Sequence, residues 1–209
     1  MARDLSVVQI PAPPPWAASA GDGSATVDSA LTVGLASGVA PSSWAQVPKA
    51  TLAHGRSFMA LDIRARLSSV TGGNDSNVYA SLRICQSGST STGLLANLRM
   101  NGGSLSLSAI GVSGGGTLGS TSGPSRSDIT SGQTWLRLVF AGLSVTLLWG
   151  LGSGGAEPTD WQIAATSPNT TSWSGAAFAT ACVALDTAPG GSPDAVSVSW
   201  SDVSVRGLW

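Results

Sequence analysis

Polar and apolar residues alternate with a period of two along most of this chain. Met59, Leu61, Ile63, Ala65 and Leu67 interleave with Phe58, Ala60, Asp62, Arg64 and Arg66 over Ser57–Leu67. Over Asn77–Gln86, Val78, Ala80, Leu82 and Ile84 oppose Tyr79, Ser81, Arg83 and Cys85. Successive side chains of an extended strand point to opposite faces, so this pattern predicts half-buried β-strands. It also predicts strands at Leu5–Ile10, Ala25–Val33, Gly93–Met100, Ser104–Ile110, Trp135–Gly142, Leu143–Gly150, Ala176–Asp186 and Val196–Arg206. Asn101, Gly102 and Gly103 form a tight hairpin turn, because Asn and Gly accept positive φ. Pro11–Pro15 reads as a stiff extended linker, 112–123 as a loop or poorly packed edge, and Gly152–Asp160 as a turn region before Trp161. The strong strands contain no proline, as sheet pairing requires. The sum is about ten to thirteen strands in one unbroken pattern. The expected fold is all-β, a two-sheet antiparallel sandwich over residues 25–209, preceded by an N-terminal strand and Pro-rich arm over 1–24.

Composition agrees. Gly occurs 27 times and Pro 11 times, while the helix formers Glu and Lys occur once each, as Glu157 and Lys49. No run has helical periodicity. The most apolar stretch, Leu136–Leu151, is broken by Arg137, Gly142, Ser144 and Gly150, so no membrane span is expected. Ten Lys+Arg against eleven Asp+Glu give a net charge of -1, which excludes nucleic-acid binding by bulk charge. Met1–Ile10 lacks the apolar core of a signal peptide, so export by the standard route is not expected. In that setting Cys85 and Cys182 read as two buried thiols. Two Cys and one His at unrelated spacings do not make a metal site, and no cofactor is expected.

The stretch TWLRLVFAGLSVTLLWGLGSGGAEPTDWQIAATS resembles the concanavalin A-like (laminin G, lectin/glucanase) jelly roll. Its features are a Trp, an alternating strand, a tight turn, a second strand, a Gly-rich turn and another Trp. The end, FATACVALDTAPGGSPDAVSVSWSDVSVRG, is similar to that family's closing pair, with Trp200 at an aromatic position and Asp202, Val203, Val205 and Gly207 after it. The likeness spans about residues 25–207 and implies a jelly-roll sandwich in which Trp161 and Trp200 plug the ends of the core.

The resemblance also defines what is missing. Hydrolases of this family carry a Glu-x-Asp-x-x-Glu run, and glycoside hydrolysis needs two carboxylates facing the bond. Here Glu157 stands alone in a Gly/Pro turn, and Asp62 is followed by Arg64 and Arg66. His54 precedes Gly55 in a predicted turn, without a nucleophile elbow elsewhere. Asn74, Asp75, Ser76 and Asn77, with Asp160, offer the oxygens that lectins of the family use for calcium, but such runs are ordinarily turns. No enzymatic activity is expected.

Two constellations remain. If Leu61, Ile63, Leu82, Ile84, Leu98 and Met100 face the core, then Asp62, Arg64, Arg66, Tyr79, Ser81, Arg83, Asn97 and Arg99 share an outward face. Arg64, Arg66, Arg83 and Arg99 with Tyr79 would form a contact surface for a protein or an acidic glycan, since guanidinium forks bind carboxylates. The plain alternative is a solvated face with ordinary charge pairs. Tryptophan is the other excess, eight against one Tyr and three Phe. Trp135, Trp161 and Trp200 have core explanations. Trp44, Trp149 and Trp173 are candidate glycan or interface aromatics. Leu5, Val7, Ile10 and Trp16, with the terminal Trp209, form a candidate docking arm.

The expected role is that of a non-enzymatic bacteriophage virion protein, a minor tail or tail-tip component that presents the sandwich to host cell-wall glycans. The implied partners are other virion proteins through the arm, and further copies of the chain. The alternatives are a capsid decoration protein and a cellular carbohydrate-binding module.

Overall fold

The alternating stretches become strands that pair antiparallel throughout, in two sheets. The computed structural model describes residues 10–11, 16–58, 60–72, 78–86, 93–101, 104–111, 123–141, 144–168, 178–187 and 194–208. One sheet holds eight strands: β1 (Ile10–Pro11), β3 (Ser24–Val27), β4 (Leu31–Leu35), β6 (Ala60–Gly72), β10 (Thr134–Ala141), β11 (Ser144–Leu151), β12 (Gln162–Pro168) and β14 (Val196–Leu208). The other holds six: β2 (Ala17–Ser19), β5 (Lys49–Phe58), β7 (Val78–Gln86), β8 (Gly93–Asn101), β9 (Ser104–Gly111) and β13 (Phe178–Thr187). The eight-stranded sheet runs β12-β11-β10-β6-β14-β4-β3, with β1 added to β14, and the six-stranded sheet runs β2-β5-β13-β7-β8-β9. The chain is an all-β sandwich of two antiparallel layers.

The core lies between the layers. Leu31, Val33, Ile63, Ala65, Leu67, Leu136, Leu138, Leu147, Val198 and Trp200 enter it from the eight-stranded sheet, and Leu52, Ala80, Leu82, Ala96, Leu98 and Val183 from the other. Each buried Leu, Ile or Val side chain contributes about 1.5–3 kcal/mol of hydrophobic stabilisation. This is the side of each strand that the alternation assigned inward.

Three expectations change. Ser57–Leu67 is not one strand: the chain leaves the six-stranded sheet at the end of β5 and joins the eight-stranded sheet at Ala60. Alternation continues across that passage, and no Gly or Pro marks it. His54 and Gly55 therefore lie inside β5 and not in a turn. Ala25–Val33 splits into β3 and β4, where the Asp28 carboxylate accepts the Ala30 N–H at 3.0 Å and closes a turn.

The sequence pattern misses a short helix, α1 (Arg126–Thr130). Its start is a capping box: Asp128 N donates to Ser125 Oγ at 3.2 Å, and Ser125 N donates to Asp128 Oδ2 at 2.9 Å. Ile129 is its buried residue and joins the core. Ser125→Ala is expected to lower stability by about 1 kcal/mol, because a helix N–H loses its acceptor. A urea melt of the variant beside the natural chain checks this.

The arm expected over 1–24 is drawn into the sandwich at Ile10–Pro11 and again from Trp16 onward. Trp16 belongs to the core, β2 pairs with β5, and Ile10 stands opposite Val205. Trp16 is therefore not an anchor on a neighbouring subunit. Leu5, Val7 and Trp209 lie outside the described residues, as does the run Asn74–Asn77. Among the described residues, no helix is long and apolar enough to cross a membrane.

Candidate functional site

Each sheet has one face on the core and one turned away, and the polar residues divide between the two outward faces. On the eight-stranded sheet, Asp62, Arg64 and Arg66 alternate with the core residues Ile63, Ala65 and Leu67, and Arg137 stands opposite Arg64 on β10. Arg64 donates from Nε to Asp62 Oδ1 at 3.1 Å and from Nη2 to Asp62 Oδ2 at 2.7 Å, and its Nη1 donates to Glu157. Arg137 donates from Nε and Nη2 to the same Asp62 carboxylate, at 3.0 and 2.7 Å. Arg66 Nε donates to Asp202 Oδ2 at 2.7 Å. Asp202 sits in a bulge of β14 with φ 53°, which turns its carboxylate onto Arg66.

Residues 152–161 fold over this face. Pro158 is buried, Gly150 lies so close beneath it that a Cβ there would be 2.8 Å from the proline ring, and Glu157 reaches Arg64 from above. Trp135 is buried under the same segment, outside the core proper. Trp161, expected as a core plug, instead sits half-buried on this outward face, with the Arg137 guanidinium 5.6 Å from its ring centroid. Trp200 does plug the core.

Asp62 and Glu157 are thus two acids gathered on one arginine. Burial works to raise the Asp62 carboxyl, but hydrogen bonds and charges from Arg64 and Arg137 outweigh it and hold the group below the usual carboxylate range. A glycosidase acid needs the opposite displacement, so that it holds a proton near neutrality. This pair is suited to tying residues 152–161 to the outside of the sheet.

The outward face of the six-stranded sheet is different. Register places Tyr79, Ser81 and Arg83 of β7 beside Asn97 and Arg99 of β8 on one flank. Asp186, Ala184 and Cys182 of β13 lie on the other, followed by Lys49 and Thr51 of β5. The small side chains of Cys182 and Ala184 form a low strip between longer neighbours and pack with Val47. Ser81 Oγ donates to Asn97 Oδ1 at 2.6 Å, and Arg83 Nη2 donates to Ser81 Oγ at 3.3 Å. Lys49 Nζ donates to the carbonyls of Val47 at 3.0 Å and Ala45 at 3.4 Å. Arg83 is 5% exposed and Lys49 8%, while Tyr79 is half-buried. The polar row is recessed, with an aromatic ring at its accessible end.

The five residues expected to share one contact face are therefore split. Arg64 and Arg66 lie on one outward face, held by Asp62, Glu157 and Asp202, and Tyr79, Arg83 and Arg99 lie on the other. Alternation assigns a residue to a face of its own strand, but β6 and β7 belong to different sheets. Of the candidate aromatics, Trp149 is 8% exposed and belongs to the core, so it is no contact residue. The Trp44 side chain and all of Trp173 lie outside the described residues. Lys49 was missed, although its alternation with Ala50, Thr51 and Leu52 carried the signal. Cys182 is a buried thiol on the strip beside Arg83. Among the described residues no group of acids, His and Cys is placed to hold a metal ion.

A shallow cleft of about 460 Å³ lies elsewhere, at the ends of β3, β4 and β14. Asp22, Ser24, Thr71 and Ser197 line it with main chain, and no aromatic ring enters it.

No protein-family model matches the chain, and no curated protein does. Solved structures do. The CBM2 module of Lactobacillus casei BL23 phage J-1 evolved Dit superposes with a TM-score of 0.60 at 10% identity, over 89% of this chain and 80% of that one. The exoplasmic/lumenal domain of VIP36 in its Ca2+-bound form gives 0.60 at 10% identity, over 94% and 84%. An engineered GH43 glycoside hydrolase gives 0.55 at 11% identity, over 86% of this chain but only 34% of that one. At these identities the likeness is one of fold: this chain is built as an antiparallel jelly-roll β-sandwich.

Proposed function

We propose that this chain is a non-enzymatic glycan-binding sandwich carried on a bacteriophage particle, and that it meets its ligand with the outward face of the six-stranded sheet. The observation that carries the reading is the recessed row of Tyr79, Ser81, Arg83 and Asn97, with Arg99 in register beside it. Hydroxyl, amide and guanidinium groups supply the donors and acceptors that sugar hydroxyls need, and the Tyr79 ring offers a face for a pyranose. The opposite outward face is closed by its own ion pairs and by residues 152–161, so it has little left to offer a ligand. The lowered Asp62 carboxyl supports binding without bond cleavage. The phage assignment is supported by the likeness to the phage Dit module and by the low-charge, Ser/Thr/Gly-rich composition. On this reading the residues before Ile10 attach the sandwich to other virion proteins.

Tyr79→Ala is expected to weaken glycan binding about five- to tenfold while the domain stays folded, because one stacked ring is worth about 1 kcal/mol. A glycan array of bacterial wall sugars, with circular dichroism of both proteins, tests it. An array silent for the natural chain, or equal binding by the variant, would remove this face from consideration and favour a purely structural role on the particle.

A further inference from the structure

The ion pairs and residues 152–161 close the eight-stranded sheet over β6, β10 and β11. Beyond them, at the ends of β3, β4 and β14, the same sheet carries the cleft of about 460 Å³. Strand register builds its floor. Ser24 of β3 stands opposite Gly34 of β4, Gly34 opposite Ser197 of β14, and Ser197 opposite Thr71 of β6. Val33, Leu35, Val196 and Val198 belong to the core, so Gly34 and Ser197 between them point away from it. The next row, Thr26, Thr32, Ser199 and Ser69, repeats the chemistry, and there Thr32 Oγ1 and Ser199 Oγ lie 2.9 Å apart. Every position in the two rows except Gly34 carries a hydroxyl.

Gly34 keeps the row open. A Cβ there would lie 2.8 Å from Ser24 Oγ and 3.4 Å from the Val196 carbonyl oxygen, in the space between the flanking strands. Glycine inside a strand suits a place where another group approaches the backbone. The walls are fixed in advance. Asp22 N donates to the Gln46 carbonyl at 2.8 Å, and Gly72, at φ 77°, meets the Ala195 carbonyl so closely that no side chain would fit. A pre-formed cleft spares a ligand the cost of ordering the walls around it.

Among the described lining residues the charged group is an acid, Asp22. A carboxylate accepts hydrogen bonds from two adjacent ligand hydroxyls, and Ser24, Thr71 and Ser197 each donate and accept. An anionic ligand would be repelled by Asp22. The geometry points to a second binding site here, one that takes an uncharged, hydroxyl-rich ligand, a neutral sugar unit of a glycan, with Asp22 bridging two of its hydroxyls and the Ser24–Gly34–Ser197–Thr71 row beneath its ring. The site goes beyond the reading above, because Tyr79 and its neighbours belong to the other sheet.

The test is a screen of the intact protein against neutral gluco-, manno-, galacto- and N-acetylglucosamine oligosaccharides, with trigalacturonate as the acidic comparison. The tightest neutral binder is then titrated while backbone amide shifts are followed by NMR. Gly34 and Ser197 report the cleft, and Ser81 and Asn97 the six-stranded face. Saturable shifts at Gly34 and Ser197 that are insensitive to salt are expected. Asp22→Ala is expected to weaken cleft binding about tenfold, through loss of a charged acceptor, and Tyr79→Ala to leave it unchanged. Gly34→Ala, read at Ser197, is expected to weaken it by raising the floor. Shifts at the cleft alone sustain this inference and remove the other face. Shifts at Ser81 and Asn97 alone overturn the cleft and leave the six-stranded reading standing. Tighter binding of trigalacturonate in the cleft, or equal affinity of Asp22→Ala, overturns the assignment of a neutral ligand held by Asp22. Silence at both sites with every oligosaccharide overturns both readings. Should Gly34→Ala fail to fold, Asp22→Ala still decides, since Asp22 is exposed.

Discussion

Trp200→Ala is expected to destabilise the sandwich by about 3–5 kcal/mol, the cost of truncating a large aromatic side chain in a packed core. Trp200 is 0% exposed and lies between Leu67 of β6 and Leu31 of β4, in the middle of the eight-stranded sheet. Its removal leaves a void where three strands meet, and a sheet held on both sides cannot collapse into it. Domains hold only about 5–15 kcal/mol in total, so the variant should melt roughly 10 °C lower or fail to accumulate. Trp200→Phe separates packing from polarity. The indole Nε1 is buried without a hydrogen-bond partner among the described residues, so the ring N–H contributes little and phenylalanine should recover most of the loss. A chemical melt of both variants checks this. Equal losses in the two would show that the indole N–H, and not the filled volume, is what the site requires.

Asp62→Asn is expected to cost about 2–3 kcal/mol, less than a fully buried pair because the Asp62 side chain keeps 17% exposure. One carboxylate accepts from both Arg64 and Arg137, and the amide leaves two guanidinium groups facing each other with half the acceptors and none of the charge. The same group sets a pH dependence. Its folded pKa is lowered, so the native state binds the proton less readily than the unfolded chain. The stabilisation is present above the unfolded value, about 3.9, and is lost as pH falls through the lower folded value. Stability of the natural chain should therefore drop below about pH 4, and Asp62→Asn should flatten that limb of the curve. Urea melts from neutral to acid pH measure it. Parallel curves for the two proteins would show that other carboxylates govern the acid limb.

Much of the architecture was legible in the chain. β7, β8 and β9, the hairpin of β10 with β11, and β13 and β14 fall where alternation places them, within a few residues at each end. Strand-to-core assignment was equally legible, since Ile63, Leu82 and Leu98 are all fully buried. The passages were harder. β5 reads poorly because KATLAHGRSF mixes small residues, a histidine and a glycine, and the change of sheets after Phe58 interrupts no pattern. α1 is a single capped turn, too short to show a period.

The candidate site was legible only in part. Alternation assigned Tyr79 and Arg83 to one face of β7, and Arg64 and Arg66 to one face of β6, without distinguishing the two sheets. It could not say that a layer of core separates the two groups. Nor could it say that Glu157 and Asp202 return from distant parts of the chain to pair with the second group, or that Trp161 packs on the neighbouring Arg137. By itself, then, the sequence determined most of the strands and their inward faces. These depend on near neighbours and on composition. Tertiary structure alone decided that Arg64 and Arg66 meet Asp62, Glu157 and Asp202 on one sheet, while Arg83 belongs to the other. That depends on which strands become neighbours, and a period of two carries no information about partners.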